Sequence, residues 1–253
     1  MRSTWKGTIS VGLLCVPVKA YGAVDDHPSL FNNLHSECKS RLKMPKYCPV
    51  CERQVEAGEV VKGYPVGKEY VVITDEDLDT LPLAASKSIT IEGFIKSRPD
   101  PRFFDKPYFL APEEAGTRAF LLLMKGMEDE GLTAIAKIAM RDKEHLVAIR
   151  AFGGVLLMQT LHWGDEIRDY KEIAVEGTIS DKELFLAKSL LKGMTQNDLD
   201  IYSYRDEYRD AVTNLVSAKL EGRVLEPVAA KTASSVDDLM AQLEASLAAI
   251  EAK

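Results

Sequence analysis

The order of the hydrophobic periodicities constrains this chain more than any other feature. Alternating, β-branched segments fill the first two thirds, and helical periodicity takes over near residue 180. Strands first and helices last do not build an alternating α/β sheet. The order points to an α+β, mainly β fold: an antiparallel barrel or sandwich with helical extensions. Residues 8–24 set Ile9, Val11, Leu13, Cys15 and Pro17 against Ser10, Gly12, Leu14 and Val16, which predicts one strand buried on both faces with Cys15 in the core. "EVVKGYPVGKEYVVIT" (59–74) predicts a hairpin around Pro65 and Gly67, and "TDEDLDTL" an acidic, capped short helix. "KSITIEGFIKS" and "KPYFLAP" read as further strands. A helix is expected from Pro112 through Phe120, Leu121, Met124 and Met127, ending near Gly131. "LTAIAKIAMR", "EHLVAIRAF" and "GVLLMQTLHW" predict three strands, the last two joined tightly at Gly153-Gly154.

Beyond residue 180, Ser180 and Glu183 form a capping-box pattern that opens a helix through Leu184, Ala187, Leu190 and Leu191. "YRDEYRDAVTNLVSAKLEG" predicts a second helix, stopped by Gly222. Residues 223–234 read as a polar linker. Val236, Leu239, Met240, Leu243, Leu247 and Ile250 then recur at helical spacing. No apolar run is long enough for a membrane span and the N-terminus reads as a strand rather than a signal peptide, so a cytoplasmic location with reduced thiols is expected.

Three of the four cysteines and one of the four histidines gather in "HSECKSRLKMPKYCPVCERQV" (35–55). His35, Cys38, Cys48 and Cys51 have the spacing H-x2-C-x9-C-x2-C, which supplies four borderline or soft donors, as a structural zinc ion in a tetrahedral site requires. A reducing compartment disfavours disulfides, and no βαβ context makes the C-x2-C a redox motif. Between the ligands lie Lys39, Arg41, Lys43 and Lys46, with no acid from 38 to 51. Alternation at 39, 41 and 43 places those three on one face of an extended segment, suited to phosphates of a duplex backbone. The bland reading of these charges is a solvated loop.

The net charge of −7 argues against a nucleic-acid binder, but its distribution does not. The first seventy residues hold ten basic and seven acidic groups; the remainder holds twenty-two basic and thirty-two acidic. No phosphate-cradling glycine loop or nucleophile elbow is present. His145 and His162 lie in strand-like segments with no nucleophile beside them, so a binding role is expected rather than an enzyme. A single-strand-binding barrel module is the alternative to a duplex binder.

Along its length the chain resembles the prokaryotic Ku proteins, DNA-end-binding factors of bacterial and phage non-homologous end joining. "MRSTWKGTISVGLLCVPVKAY", "VKGYPVGKEYVVITDEDLDTL", "FFDKPYFLAPEE", "AIAKIAMRDKEHLVAIRAFGGVLLMQTLHWGDEIRD", "ELFLAKSLL" and "YRDEYRDAVTNLVSAKLEG" match in order, over roughly residues 1–225. The resemblance implies a Ku-core antiparallel β-barrel at 1–222, with a bridge arm inserted at about 25–85 and C-terminal arm helices at about 180–222, followed by a linker and short helix over 223–253. It implies a homodimer closed as a ring around double-stranded DNA ends, no enzymatic activity, recruitment of an ATP-dependent multifunctional DNA ligase of the ligase D type, and a nucleoid-associated place in the cytoplasm. It puts Lys39, Arg41, Lys43, Lys46, Arg53 and Lys62 at the DNA and makes 235–251, with Val236, Leu239, Met240, Leu243 and Leu247, a short partner-binding element, the alternative being a helix docked on its own core. The zinc clip rests on this sequence alone, since many members of the family lack these cysteines. The Lys-rich tail common in the family is not visible before Lys253, so tail-dependent functions are not expected.

Overall fold

A computed structural model describes residues 1–80, 87–140, 143–223, 242–243 and 245–248, in two compact units, Met1–Asp169 and Tyr170–Lys253. The first unit is built on a closed barrel of seven strands in the order β1-β2-β8-β11-β10-β9-β7. These are β1 (Trp5–Val11), β2 (Leu14–Gly22), β7 (Ser88–Ile95), β8 (Phe104–Pro112), β9 (Thr133–Met140), β10 (Lys143–Phe152) and β11 (Val155–Leu161). Six seams are antiparallel. The seventh, β1 against β7, is parallel and pairs Ile9 with Ile89. A parallel pair needs a long crossover; here the connection from β2 to β7 supplies it.

The register explains why the barrel closes in one way. Buried side chains face one another at seam after seam: Ile9 with Val16, Ala20 with Leu110, Leu110 with Leu156, Met158 with Ile149, Ile149 with Ala134, Ile138 with Ile89 and Ile89 with Ile9. One continuous core results, and a one-residue slip at any seam would turn its share of that core outward. Register shifts occur at 91/93 and 159/161. At the second, Thr160 is buried, and its Oγ1 accepts from Lys106 N–H at 2.9 Å, which satisfies the hydroxyl.

Three sequence expectations need correction. Residues 8–24 are not one strand but parts of β1 and β2, joined by a two-residue turn in which Gly12 takes φ +57° and Leu13 is fully exposed. The turn shifts the phase, so Val16, Val18 and Ala20 point inward and Cys15 is exposed rather than in the core. The helix expected at Pro112 begins at Thr117 (α2, Thr117–Asp129). Pro112 instead ends β8 opposite Val18, and Glu113 N–H bonds Pro17 O at 2.9 Å while its carboxylate meets Lys6 (2.9 Å) and Lys19 (3.5 Å). Those partners hold Glu113 in the strand-to-turn junction. Within α2, Phe120, Met124 and Met127 are buried, and Leu121 is on the exposed side. Leu132 N–H closes the helix on Met127 O, with Gly131 at φ +63°.

Gly116, at the start of α2, is seated on Pro17. A Cβ there would lie 2.7 Å from Pro17 Cγ and Cδ and 2.9 Å from its carbonyl oxygen. Gly116→Ala is therefore expected to cost about 1–3 kcal/mol. A thermal melt should show this as a drop of roughly 2–4 °C per kcal/mol in a unit of this size. An unchanged melt would mean that the helix start shifts freely on the barrel.

In the second unit, α3 (Asp181–Met194) carries the expected Ser180/Glu183 capping box, with Ser180 N–H to Glu183 Oε2 at 2.8 Å. The next long helix, α4 (Glu207–Leu220), is capped by Asp206 and ends before Gly222 at φ +72°. No residue of α3 is buried and only Ala218 of α4 is; Phe185, Leu191, Tyr208 and Leu220 are exposed. Leu243 and Leu247 are helical and half-buried, whereas Val236, Leu239 and Met240 lie outside the described residues.

Candidate nucleic-acid interface

Between β2 and β7 the chain leaves the barrel as an arm. It carries an isolated bridge of Leu34 with Arg41, a hairpin of β3 (Tyr47–Cys48) and β4 (Arg53–Gln54), a hairpin of β5 (Lys62–Val66) and β6 (Glu69–Ile73), and α1 (Asp75–Asp79). No described residue from Ala23 to Thr80 is buried. The β5–β6 hairpin exposes Tyr64, Val66, Tyr70, Val71 and Val72. A lone hairpin without a covering layer is marginal in water, so this arm is built to be held by something other than its own core. Thr74 caps α1 with a reciprocal Asp77 bond, as the sequence led one to expect.

The metal-ligand candidates form two similar knuckles. In the first, His35 Nδ1 lies 3.2 Å from Cys38 Sγ, Lys39 N–H bonds His35 O, and Lys39 itself takes φ +56°. In the second, Cys48 and Cys51 interact side chain to side chain, and Glu52 takes φ +50°. Each knuckle thus pairs two donors three residues apart and turns out through a left-handed residue directly after the second. Lys and Glu rarely adopt that conformation, and its repetition marks two matched turns. Hydrogen bonds from Ser40 lower the Cys38 pKa. Backbone N–H groups of Cys51 and Val50 lower that of Cys48, while the neighbouring Cys48 sulfur raises that of Cys51. Two of the three thiols are thus eased toward the thiolate that a metal needs. The donor chemistry fits zinc, and each half-site is formed. The two halves do not converge: among the described residues no three His, Cys, Asp or Glu side chains gather closely enough to hold a metal ion.

The basic groups separate into two kinds. Lys39 does not share an extended face with Arg41 and Lys43, because the turn at 36–38 and its own left-handed backbone break the alternation, and its ammonium bonds Ser36 O. Arg53 makes a two-pronged pair with Glu59 (3.0 and 2.5 Å), which raises the Arg53 pKa and lowers that of Glu59. Lys62 lies 3.0 Å from Asp75. Arg41, Lys43 and Lys46 make no ion pair among the described residues. Nothing in the local pattern signals this division, because the partners sit six and thirteen residues away across turns. His145 stands in β10 opposite Ile138, and His162 lies 3.4 Å from Glu166. Among the described residues no helix is long and apolar enough to cross a membrane.

Fold and arm define a class: a small β-barrel from whose wall a coreless, cysteine-bearing arm with a basic stretch at residues 39–46 is inserted. The family model described as the Ku70/Ku80 β-barrel domain matches residues 10–186. The chain is 40% identical over 259 residues to Non-homologous end joining protein Ku of Symbiobacterium thermophilum, covering 100% of this chain and 64% of that protein. It is 40% identical over 260 residues to the Archaeoglobus fulgidus protein of that name (99% and 100% covered), and 34% over 255 to that of Bacillus subtilis (98% and 82%). The chain belongs to the Ku family.

Proposed function

We propose that the protein binds double-stranded DNA ends without reading their sequence, as a ring-shaped homodimer acting in non-homologous end joining. It shields the ends and recruits an ATP-dependent DNA ligase of the ligase D type; its role is binding, and the joining chemistry belongs to the ligase. The observation that carries this reading is the arm at about 25–85: an insertion with no buried residue among those described, which presents Arg41, Lys43 and Lys46 without carboxylate partners among the described residues. Lys39, Arg53 and Lys62 complete the proposed interface, with a smaller share because each is already engaged within the arm. Backbone phosphates satisfy such cations whatever the base sequence.

Self-association is supported by the apolar surface left on the β5–β6 hairpin and on α3 and α4, the proposed arm helices of about 180–222. Zinc, about one ion per chain, is proposed to be held by His35, Cys38, Cys48 and Cys51, replacing the burial that the arm lacks. The 235–251 segment, including Val236, Leu239, Met240, Leu243 and Leu247, is proposed to dock the ligase. A nucleoid-associated cytoplasmic location follows from this role.

A competition experiment separates this reading from a single-strand-binding barrel. A labelled blunt duplex should be displaced by unlabelled duplex of equal length, and far less by either strand alone. Displacement by single strands at equal or lower concentration would reverse the assignment.

A further inference from the structure

β7 and β8 follow one another in sequence but are separated round the barrel by β9, β10 and β11. Of the two ways round the closed barrel, residues 96–103 take the side of β9, β10 and β11 rather than that of β1 and β2, since Arg98 to Pro101 share a cleft with Thr133, Ala148, Arg150 and Gln159. They do so as a strap, and between strap and wall lies a cleft of about 520 Å³, lined by Arg98, Pro101, Phe104, Thr133, Arg150 and Gln159 among others. The one carboxylate of this lining, Asp100, is taken by Arg102, at 3.1 Å from Nε and 2.8 Å from Nη2, which holds its pKa down at about 2. Arg98 and Arg150 have no ion-pair partner among the described residues. Arg150 is half-buried, with its guanidinium carbon 5.9 Å from the Phe152 ring centroid; burial and the charge of Arg98 both lower its pKa. Two guanidinium groups crowded into one cleft with no compensating anion are an oxyanion site in waiting.

The remaining walls narrow the ligand. Phe104 and Pro101 offer apolar surface, the Gln159 amide supplies both a donor and an acceptor on β11, and the Thr133 hydroxyl stands two strands away on β9. A phosphate joined to a flat ring with polar edges uses all of these at once. Stacked duplex offers only its phosphates, whereas an unpaired strand offers both parts. An acidic peptide would satisfy the arginines and could meet the amide through its backbone, but it brings a flat ring to Phe104 only where an aromatic residue adjoins the acid. We infer that this cleft holds one unpaired nucleotide of a DNA strand, with its phosphate between Arg98 and Arg150 and its base against Phe104. The inference rests on the end-binding reading above and extends it from blunt duplex to ends carrying single-stranded tails.

The test uses the full chain. Deoxycytidine 5′-monophosphate, deoxycytidine, inorganic phosphate and N-acetyl-Phe-Asp amide are titrated separately while the arginine side-chain NMR signals are followed. The nucleotide should bind saturably and tighter than either of its parts, with the Arg98 and Arg150 signals moving. Arg98→Gln with Arg150→Gln should weaken it about tenfold or more. Arg150→Lys, which keeps the charge and loses the fork, should fall between. Equal binding of phosphate alone, tighter binding of the peptide, or indifference to the substitutions overturns the inference. In a second arm, the wild-type protein should prefer a tailed duplex over a blunt one, and the double variant should lose that preference while keeping blunt-end affinity. Normal blunt-end binding with no nucleotide binding sinks the inference alone. Nucleotide binding without any end binding sinks the end-binding reading and leaves the cleft assignment standing.

Discussion

The Cys48→Ser protein is expected to leave purification with little or no zinc, against about one ion per chain for the unaltered protein, and with a barrel that melts where it did before. The first half rests on the proposed four-donor set, the second on the separation of the arm from the barrel core. Serine removes the thiolate that backbone N–H groups of Val50 and Cys51 favour, so the second knuckle keeps one sulfur and cannot complete a four-donor set. Structural zinc in small domains supplies about 10–16 kcal/mol of apparent binding energy, which is folding energy where no preformed site exists. The arm has no buried residue among those described from Ala23 to Thr80, so losing that energy should leave residues 30–60 open to amide exchange within seconds to minutes. The barrel core contains none of these residues, and its melting should not move. Affinity for duplex ends should fall with the arm. Full zinc content in the serine protein would remove Cys48 from the ligand set. A lowered barrel melt would show that the arm braces the barrel.

Replacing Arg41, Lys43 and Lys46 together with glutamine should have the largest effect on DNA. Each lost phosphate contact lowers the salt slope of log K by about 0.9. Three contacts per chain, six in the proposed homodimer, thus flatten it by roughly 5.4 and weaken binding at 0.1 M salt by about five orders of magnitude. The loss should be uniform across sequences, because phosphates carry no base information. Arg53→Gln is the contrasting variant. Its guanidinium is committed to Glu59, so its removal should change the salt slope little and loosen the β3–β4 hairpin instead. An unchanged slope in the triple variant would move the DNA to another surface.

The strands were legible in the sequence, by period two in "TAIAKIAM" and by a continuous apolar run in "VLLMQTL", which are β9 and β11 nearly residue for residue, while periodicity left barrel and sandwich open. Local caps were equally readable. Ser180 with Glu183 and Thr74 with its acidic first turn depend only on neighbours three residues apart. What failed depended on contacts distant in sequence or on a single backbone angle. Gly12 divided one expected strand into two and sent Cys15 outward. Pro17 and Lys6 held Glu113 back from the helix that Pro112 seemed to open. In the arm, spacing identified both donor pairs, and chemistry identified the cations. The left-handed Lys39 that breaks their common face, and the Glu59 and Asp75 that engage Arg53 and Lys62, are products of the folded turns. Arg98 and Arg150 carried no signal, since only the crossing of the strap over three strands brings them to one cleft.

A ring that admits DNA only through an end makes one demand that open-sided binding does not. The direct measurement is competition for a labelled linear duplex by two unlabelled rivals of identical sequence and length, one linear and one covalently closed. The linear rival should displace the label at stoichiometric concentration, and the closed circle should fail until it is cut once. Equal displacement by linear and closed DNA would contradict threading.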